Sequence, residues 1–197
     1  MDRDRERATS LTLLDQIRAG DQGAWSRTVA LYGPLVVYWC RRAGGGEESE
    51  DLAQEVLLSA AGRIGSFRRD RPGDSFRGWL RAVARNKILD WQRRRGRRVD
   101  FAVGGTVAGQ VLGEQADPIS SDEDGERREA EALYLRALDL VRGEFEPRTW
   151  ETFLAVTVGG KAAPEVAKEL GVTSAAVRLA KSRVLRRLKE VVGDLIE

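Results

Sequence analysis

Two stretches of this 197-residue sequence carry the side chains best suited to binding a polyanion. Between residues 85 and 98, Asp90 alone opposes seven basic residues. Between residues 178 and 189 there are six basic residues and no acidic one. Like charges at helical spacing repel one another, unless something negative neutralises them. Both stretches therefore predict binding to nucleic-acid phosphates, which releases counterions.

Aromatic residues accompany the first basic stretch. Bases of single-stranded nucleic acid stack on aromatic rings while cations hold the phosphates. For Trp79 and Trp91, which recur at helical spacing, a place in the core is the commoner outcome. The residues better placed to meet an unstacked base or its phosphates are Phe67, Arg68, Arg69, Arg71 and Phe76.

Five carboxylates crowd the start of a predicted helix near residue 49. They could hold Mg²⁺ for nuclease chemistry, or they could form an exposed surface that docks on another protein. Negative charge is favoured at a helix start in any case, so docking is the preferred interpretation. The group comprises Glu47, Glu48, Glu50, Asp51 and Glu55.

Other chemistry is excluded by composition. The sequence has no histidine and a single cysteine, Cys40, which removes His-based triads, His-containing metal sites and internal disulfides. The Gly-rich residues 103–110 lack the Lys-Ser/Thr of a phosphate loop. We therefore expect a non-enzymatic protein with no catalytic residue, no metal and no cofactor. An unpaired, buried cysteine is typical of the cytoplasm, and no apolar run is long enough for membrane insertion.

The elements that position these groups are predicted to be helices, because no period-2 strand pattern appears. We expect an all-α fold of two small helical domains. A break at Gly33-Pro34 should separate two of the helices in the first domain. Helices are predicted over residues 21–32, 34–43, 49–60, 76–95, 129–145, 147–158, 164–170 and 174–192, after a first helix that ends at Gly20.

The last two predicted helices form a helix-turn-helix. Pro164 suits a first helical turn, Gly171 suits a tight turn and Thr173 suits an N-cap. A short helix, a turn and a longer basic helix are typical of duplex DNA recognition.

The net charge of +2 conceals an uneven distribution. Residues 1–98 carry 20 basic and 13 acidic side chains, whereas residues 99–126 carry seven acidic and no basic ones. Gly-rich and acidic composition cannot bury enough apolar surface to offset ordering. A flexible acidic linker is therefore predicted over residues 99–128.

These motifs together resemble the extracytoplasmic-function (ECF) sigma factors of the sigma-70 superfamily. The similarity is carried by DLAQEV at residues 51–56, by FRGWLRAVARNK at residues 76–87, and by the terminal helix-turn-helix. It runs in order from about residue 21 to residue 190. Resemblance to this family implies two helical modules, region 2 over residues 21–98 and region 4 over residues 129–197. Residues 1–20 then form an N-terminal segment and the first helix.

The resemblance also implies partners and roles. Region 2 would dock on the β′ clamp helices of bacterial core RNA polymerase and melt the promoter −10 element, and region 4 would recognise the −35 element and contact the β flap. An anti-sigma factor is a further candidate partner. The implied polymerase contacts are Asp51, Gln54 and Glu55. The implied −10 contacts are Phe67, Arg68, Arg69, Arg71, Phe76, Arg85, Asn86 and Lys87. The implied −35 contacts are Ser174, Arg178, Lys181, Ser182, Arg183, Arg186 and Arg187.

Two points stay open at this level. A helix-turn-helix regulator that binds DNA without polymerase would explain the C-terminal helix, although not the docking motif. In the family the connector between modules follows the RNA path of the polymerase, and an acidic connector suits such a basic channel.

Overall fold

The computed structural model describes residues 13–68, 70–71, 73–103, 117–120 and 122–196. Its described part contains eight α-helices and no strand, which confirms the all-α class. Two short 3-10 turns flank α3. The helices are α1 (Leu13–Arg18), α2 (Gln22–Arg42), α3 (Ser49–Arg63), α4 (Phe76–Val103), α5 (Glu123–Arg142), α6 (Pro147–Thr157), α7 (Ala163–Leu170) and α8 (Ser174–Ile196).

The break predicted at Gly33-Pro34 is wrong. α2 continues through Pro34, which lies exposed inside the helix. A proline there removes one backbone hydrogen bond and crowds the preceding turn. The side chains on both sides of it, Tyr32 and Leu35, are buried in the core. Packing of that apolar face therefore outweighs the local preference for a break.

The predicted linker is also longer than the interval between the observed helices. α4 extends to Val103, past the predicted end at residue 95, and α5 begins at Glu123 rather than 129. Asp122 caps α5, because its Oδ1 accepts a hydrogen bond from the Gly125 amide at 2.8 Å, and acidic residues in the first turn suit the helix dipole. Residues 104–116 and 121 of the predicted linker, like residues 1–12 of the N-terminal segment, lie outside the described residues.

The main core runs continuously through both halves of the chain. α2, α3 and α4 pack together around Trp39, Val56 and Ile88, and α5 adds Leu133 to the same cluster. α1 and α4 both contact α8. The two predicted modules therefore pack directly against each other in this structure.

A second, smaller core holds the helix-turn-helix together. It consists of Val166, Ala167 and Val177, with partly buried residues of α6 packed against it. Gly171 ends α7 in the left-handed region at φ +61°, and the Thr173 hydroxyl accepts a hydrogen bond from the Ala176 amide at 3.1 Å. Both capping predictions are confirmed.

Cys40 is fully buried on α2, as its apolar surroundings predict. Burial raises the pKa of its thiol to about 12, so the side chain behaves as a small apolar group. None of the described helices combines the length and the apolar character needed to cross a membrane.

Candidate nucleic-acid interface

The first part of α8 has one exposed, charged face and one buried, apolar face. Val177, Val184 and Leu188 are buried, which fixes the rotation of the helix. The residues on the opposite side are exposed and recur at i, i+4 spacing, as expected for an amphipathic helix. This exposed set consists of Arg178, Leu179, Ser182, Arg183 and Arg186. Leu179 is an apolar member of this set and is 51% exposed, and Leu185 is a second exposed leucine of α8 at 39%.

The remaining predicted −35 residues are less available. Ser174 and Lys181 are half-buried. Arg187 turns toward its own domain, where its Nη2 donates a hydrogen bond to Glu144 Oε1 at 3.0 Å. This hydrogen bond holds the pKa of the Glu144 carboxyl below its usual range. The structure therefore brings Arg178, Ser182, Arg183 and Arg186 together and sets Arg187 apart from them.

The predicted −10 residues of α4 lie among carboxylates. Asn86 is exposed. Arg85 Nε lies 3.5 Å from Asp117 Oδ1, and Lys87 Nζ lies 3.9 Å from Glu55 Oε2. The basic helix is thus partly neutralised by acidic residues of the same chain.

The expectation that Phe67 and Phe76 stack on a base does not fit their positions. Phe67 is 2% exposed and Phe76 is fully buried. Their rings meet edge to face, with centroids 5.7 Å apart, and Phe76 also packs on Tyr32 and Trp79. Edge-to-face geometry of this kind stabilises aromatic cores, so in this structure these rings belong to packing.

The arginines of the same loop remain outside the core. Arg68 and Arg71 are exposed, whereas Arg69 lies outside the described residues. Arg68 donates a hydrogen bond to the Phe67 carbonyl at 3.0 Å, and Arg18 Nη2 donates to the same oxygen at 2.8 Å. Arg68 and Arg71 therefore place positive charge at the surface of the loop, whereas the ring of Phe67 is buried beneath it.

The outer face of α3 is a mixed polar and apolar surface. Asp51, Gln54 and Glu55 are exposed, while Leu52 and Val56 on the inner face are buried. Leu58 lies one turn further along the outer face and is 72% exposed. Sequence reasoning missed Leu58, although its spacing from Asp51 and Gln54 places it on their row.

Two of the carboxylates near the start of α3 bind different side chains. Glu48 Oε2 accepts a hydrogen bond from Trp91 Nε1 at 2.8 Å. Glu50 pairs with Arg41 at 3.2 Å. No group of three or more acidic or cysteine side chains is positioned to hold a metal ion within the described ranges. Glu48 and Glu50 are thus engaged by a tryptophan and an arginine, and Trp91 is largely buried, as expected of a core tryptophan.

Comparison with known proteins identifies the family of the chain. Residues 28–98, which span α2 to α4, match the model of sigma-70 region 2. The ECF RNA polymerase sigma factor BldN of Streptomyces coelicolor is 28% identical over 97% of this chain and 69% of its own length.

Two further relatives are similar over most of both chains. The ECF RNA polymerase sigma factor SigD of Mycobacterium bovis is 30% identical over 88% of this chain and 79% of its own length. The RNA polymerase sigma factor CnrH of Cupriavidus metallidurans is 30% identical over 87% of this chain and 88% of its own length. The chain therefore belongs to the ECF RNA polymerase sigma factors, a family of non-enzymatic transcription initiation factors.

Proposed function

We propose that this protein binds bacterial core RNA polymerase in the cytoplasm and directs it to promoters by contacting the −35 and −10 elements. The observation that carries the proposal is the division of α8 into a buried face and an exposed basic face. Arg178 and Arg183 on that face are free to meet phosphates or base edges in a major groove, as recognition helices do.

Docking on the polymerase is assigned to the outer face of α3. Asp51 and Gln54 make no side-chain hydrogen bond or ion pair with any described residue, and Leu58 exposes an apolar side chain one turn beyond Gln54 and Glu55. A small apolar centre with a polar rim is typical of protein–protein interfaces. The proposed receptor is the β′ clamp helices, with the β flap contacting the second half of the chain.

Recognition of the −10 element is assigned to α4 and the loop before it. The proposed contacts are Arg68, Arg71, Arg85, Asn86 and Lys87. Binding energy from docking and phosphate contacts would offset the unstacking of bases, which costs a few kcal/mol per step.

The test is run-off transcription with purified bacterial core polymerase on fragments that include the DNA upstream of the gene for this protein. Wild-type protein should yield discrete transcripts, and Gln54→Ala should weaken polymerase binding without changing DNA contacts. Gln22→Ala, at an exposed position in the first turn of α2, is the matched control and should behave like wild type. A protein that retards promoter DNA alone and never associates with polymerase would instead be an independent helix-turn-helix regulator.

A further inference from the structure

Leu179 is an apolar residue among the polar side chains of the proposed DNA-contacting face of α8. Its side chain is 51% exposed. Ser182 and Arg183 follow it at i+3 and i+4 and therefore adjoin it on the same helix face, and Arg178 precedes it on the next row. All three neighbours are exposed. A leucine side chain thus lies in the middle of groups that can bind phosphates or polar base edges.

The packing of the protein does not use this leucine. The α8 residues that pack inward nearby are Val177, Ala180 and Val184, all of them buried. Among the described residues, neither core cluster includes Leu179 as a buried or partly buried member. The side chain is therefore available for a contact with another molecule.

The position of Leu179 along α8 places it among the residues that would meet base edges. α8 begins at Ser174, so Leu179 lies in its second turn. In a helix-turn-helix, the N-terminal residues of the second helix contact base edges in the major groove. Leu185, the other exposed leucine of α8, lies more than one turn later. Of the two leucines, Leu179 is the one positioned to face a base pair.

The residues before Leu179 allow the helix to approach the bases closely. Ala175 and Ala176 are exposed in the first turn of α8 and carry only a methyl group each, so the leucine extends beyond them. The helix also has no acidic residue between positions 174 and 189, and thus no charge of its own that repels DNA. Phosphate contacts by the arginines would fix the register, whereas base contacts provide the specificity.

The major groove offers a leucine side chain one suitable partner. Each base presents hydrogen-bond donors or acceptors at this edge, and thymine alone adds an apolar group, its C5 methyl. A leucine pressed against polar atoms takes them from water without replacing their hydrogen bonds, which is unfavourable. Contact with the thymine methyl instead buries apolar surface on both partners. The chemistry of the side chain therefore favours thymine over the other three bases.

We propose that Leu179 reads the methyl group of a thymine in the −35 element and so determines one base of the promoters that this protein recognises. The inference rests on the proposed function, since it names the base that the DNA-contacting helix selects at one position. It requires a T·A pair at a fixed place in the −35 element of these promoters.

The test removes the methyl group from the DNA. In a promoter found by run-off transcription, each thymine of the −35 region is replaced singly by deoxyuridine, which differs from it by that methyl group alone. Competition between promoter duplexes for holoenzyme containing the full-length protein gives their relative affinities. At one position the uracil duplex should bind about three- to fivefold more weakly, which is roughly the effect of one buried methyl group.

Three variants show whether Leu179 is the reader. Leu179→Ala should bind the thymine and uracil duplexes equally, because its side chain no longer reaches the methyl group. Leu179→Met keeps a long apolar side chain and should keep the discrimination. Leu185→Ala, the matched control, removes the other exposed leucine of α8 and should keep it as well. Thermal melts verify that each variant is folded.

A second base change separates the methyl contact from any general effect of uracil on DNA shape. The sensitive T·A pair is replaced by a C·G pair, with either cytosine or 5-methylcytosine, which carries its methyl group at the same place in the groove. Wild-type holoenzyme should prefer the methylated duplex by a similar factor, and Leu179→Ala should show no preference.

The outcomes separate the two proposals. Suppose that the wild-type holoenzyme starts transcription, but that no thymine of the −35 region responds to loss of its methyl group, or that Leu179→Ala responds like wild type, or that Leu185→Ala loses the discrimination too. The assignment of Leu179 is then overturned and the proposed function stands. If the wild-type protein neither binds polymerase nor supports transcription, the proposed function itself fails.

Discussion

Arg187 on α8 and Glu144, just after α5, are joined by a hydrogen bond of 3.0 Å between Nη2 and Oε1. Arg187, which the family resemblance implies as a −35 contact, is thus hydrogen-bonded to a residue of its own half of the chain. Arg183, one turn earlier, is exposed. The two arginines of the same basic helix therefore have different surroundings and should respond differently to removal.

We predict that Arg183→Ala weakens −35 duplex binding and lowers the slope of log affinity against log salt by about one unit, because one phosphate contact is lost. Arg187→Ala should leave that slope unchanged and lower the thermal stability instead. Titrations with polymerase holoenzyme at several salt concentrations, together with thermal melts, test both. Equal slope changes for the two variants would contradict the distinction.

The Glu144–Arg187 pair also predicts a pH dependence. The hydrogen bond from Arg187 lowers the pKa of Glu144 below the ordinary value of 4.5, so the pair stabilises the fold above that pH and its contribution is lost as pH falls through the lowered value. Because both side chains are more than a third exposed, Glu144→Gln should cost only about 0.2–1 kcal/mol at neutral pH. Urea unfolding at pH 7 and at about pH 3 measures the difference, which should shrink at the lower pH; a constant difference would count against the pair.

Leu58 should be central to polymerase docking. Leu58→Asp places a charge in the apolar centre of the proposed interface and should weaken core polymerase binding about tenfold or more. Folding stability should change by less than about 0.5 kcal/mol, since Leu58 is largely exposed. Leu135→Asp is the matched control, because Leu135 is also an exposed leucine, 58% accessible, on α5. The measurement is equilibrium binding of each variant to labelled core polymerase. An equal loss of affinity in both variants would show that Leu58 is not part of the interface.

Phe76 should behave as a core residue. Phe76→Ala should reduce the free energy of unfolding by about 3–5 kcal/mol, because it empties the space between Tyr32, Phe67 and Trp79. Phe145→Ala, which removes a half-buried ring elsewhere, should cost less. If Phe76→Ala kept its stability and lost only promoter melting, base stacking would be the correct role after all.

Local signals in the sequence predicted the helix-turn-helix well. Pro164, Gly171 and Thr173 act within one or two helical turns, so their effects do not depend on distant parts of the chain. The amphipathic pattern of α8 is equally local, and its buried and exposed faces follow from it.

The predictions that failed depend on contacts between residues far apart in sequence. Pro34 stays inside a helix because distant apolar residues cover its neighbours, and Phe76 packs on Tyr32 of α2, 44 positions earlier in the sequence. Glu129 meets Trp39 across 90 positions. Charge counts reveal that residues 99–126 are acidic, but they carry no information about which basic helix those carboxylates approach.

The buried Glu129 of α5 accepts a hydrogen bond from Arg81 Nη2 at 2.6 Å and one from Trp39 Nε1 at 3.0 Å, and this junction has a consequence for hybrid proteins. It requires matching side chains from both halves of one chain, namely Trp39 and Arg81 before the connection and Glu129 after it. A chimera that takes its C-terminal half from another sigma factor can keep both promoter-reading helices and still lose this match. Such hybrids should melt at a lower temperature than either parent, because a buried charge or indole then loses its hydrogen-bond partner.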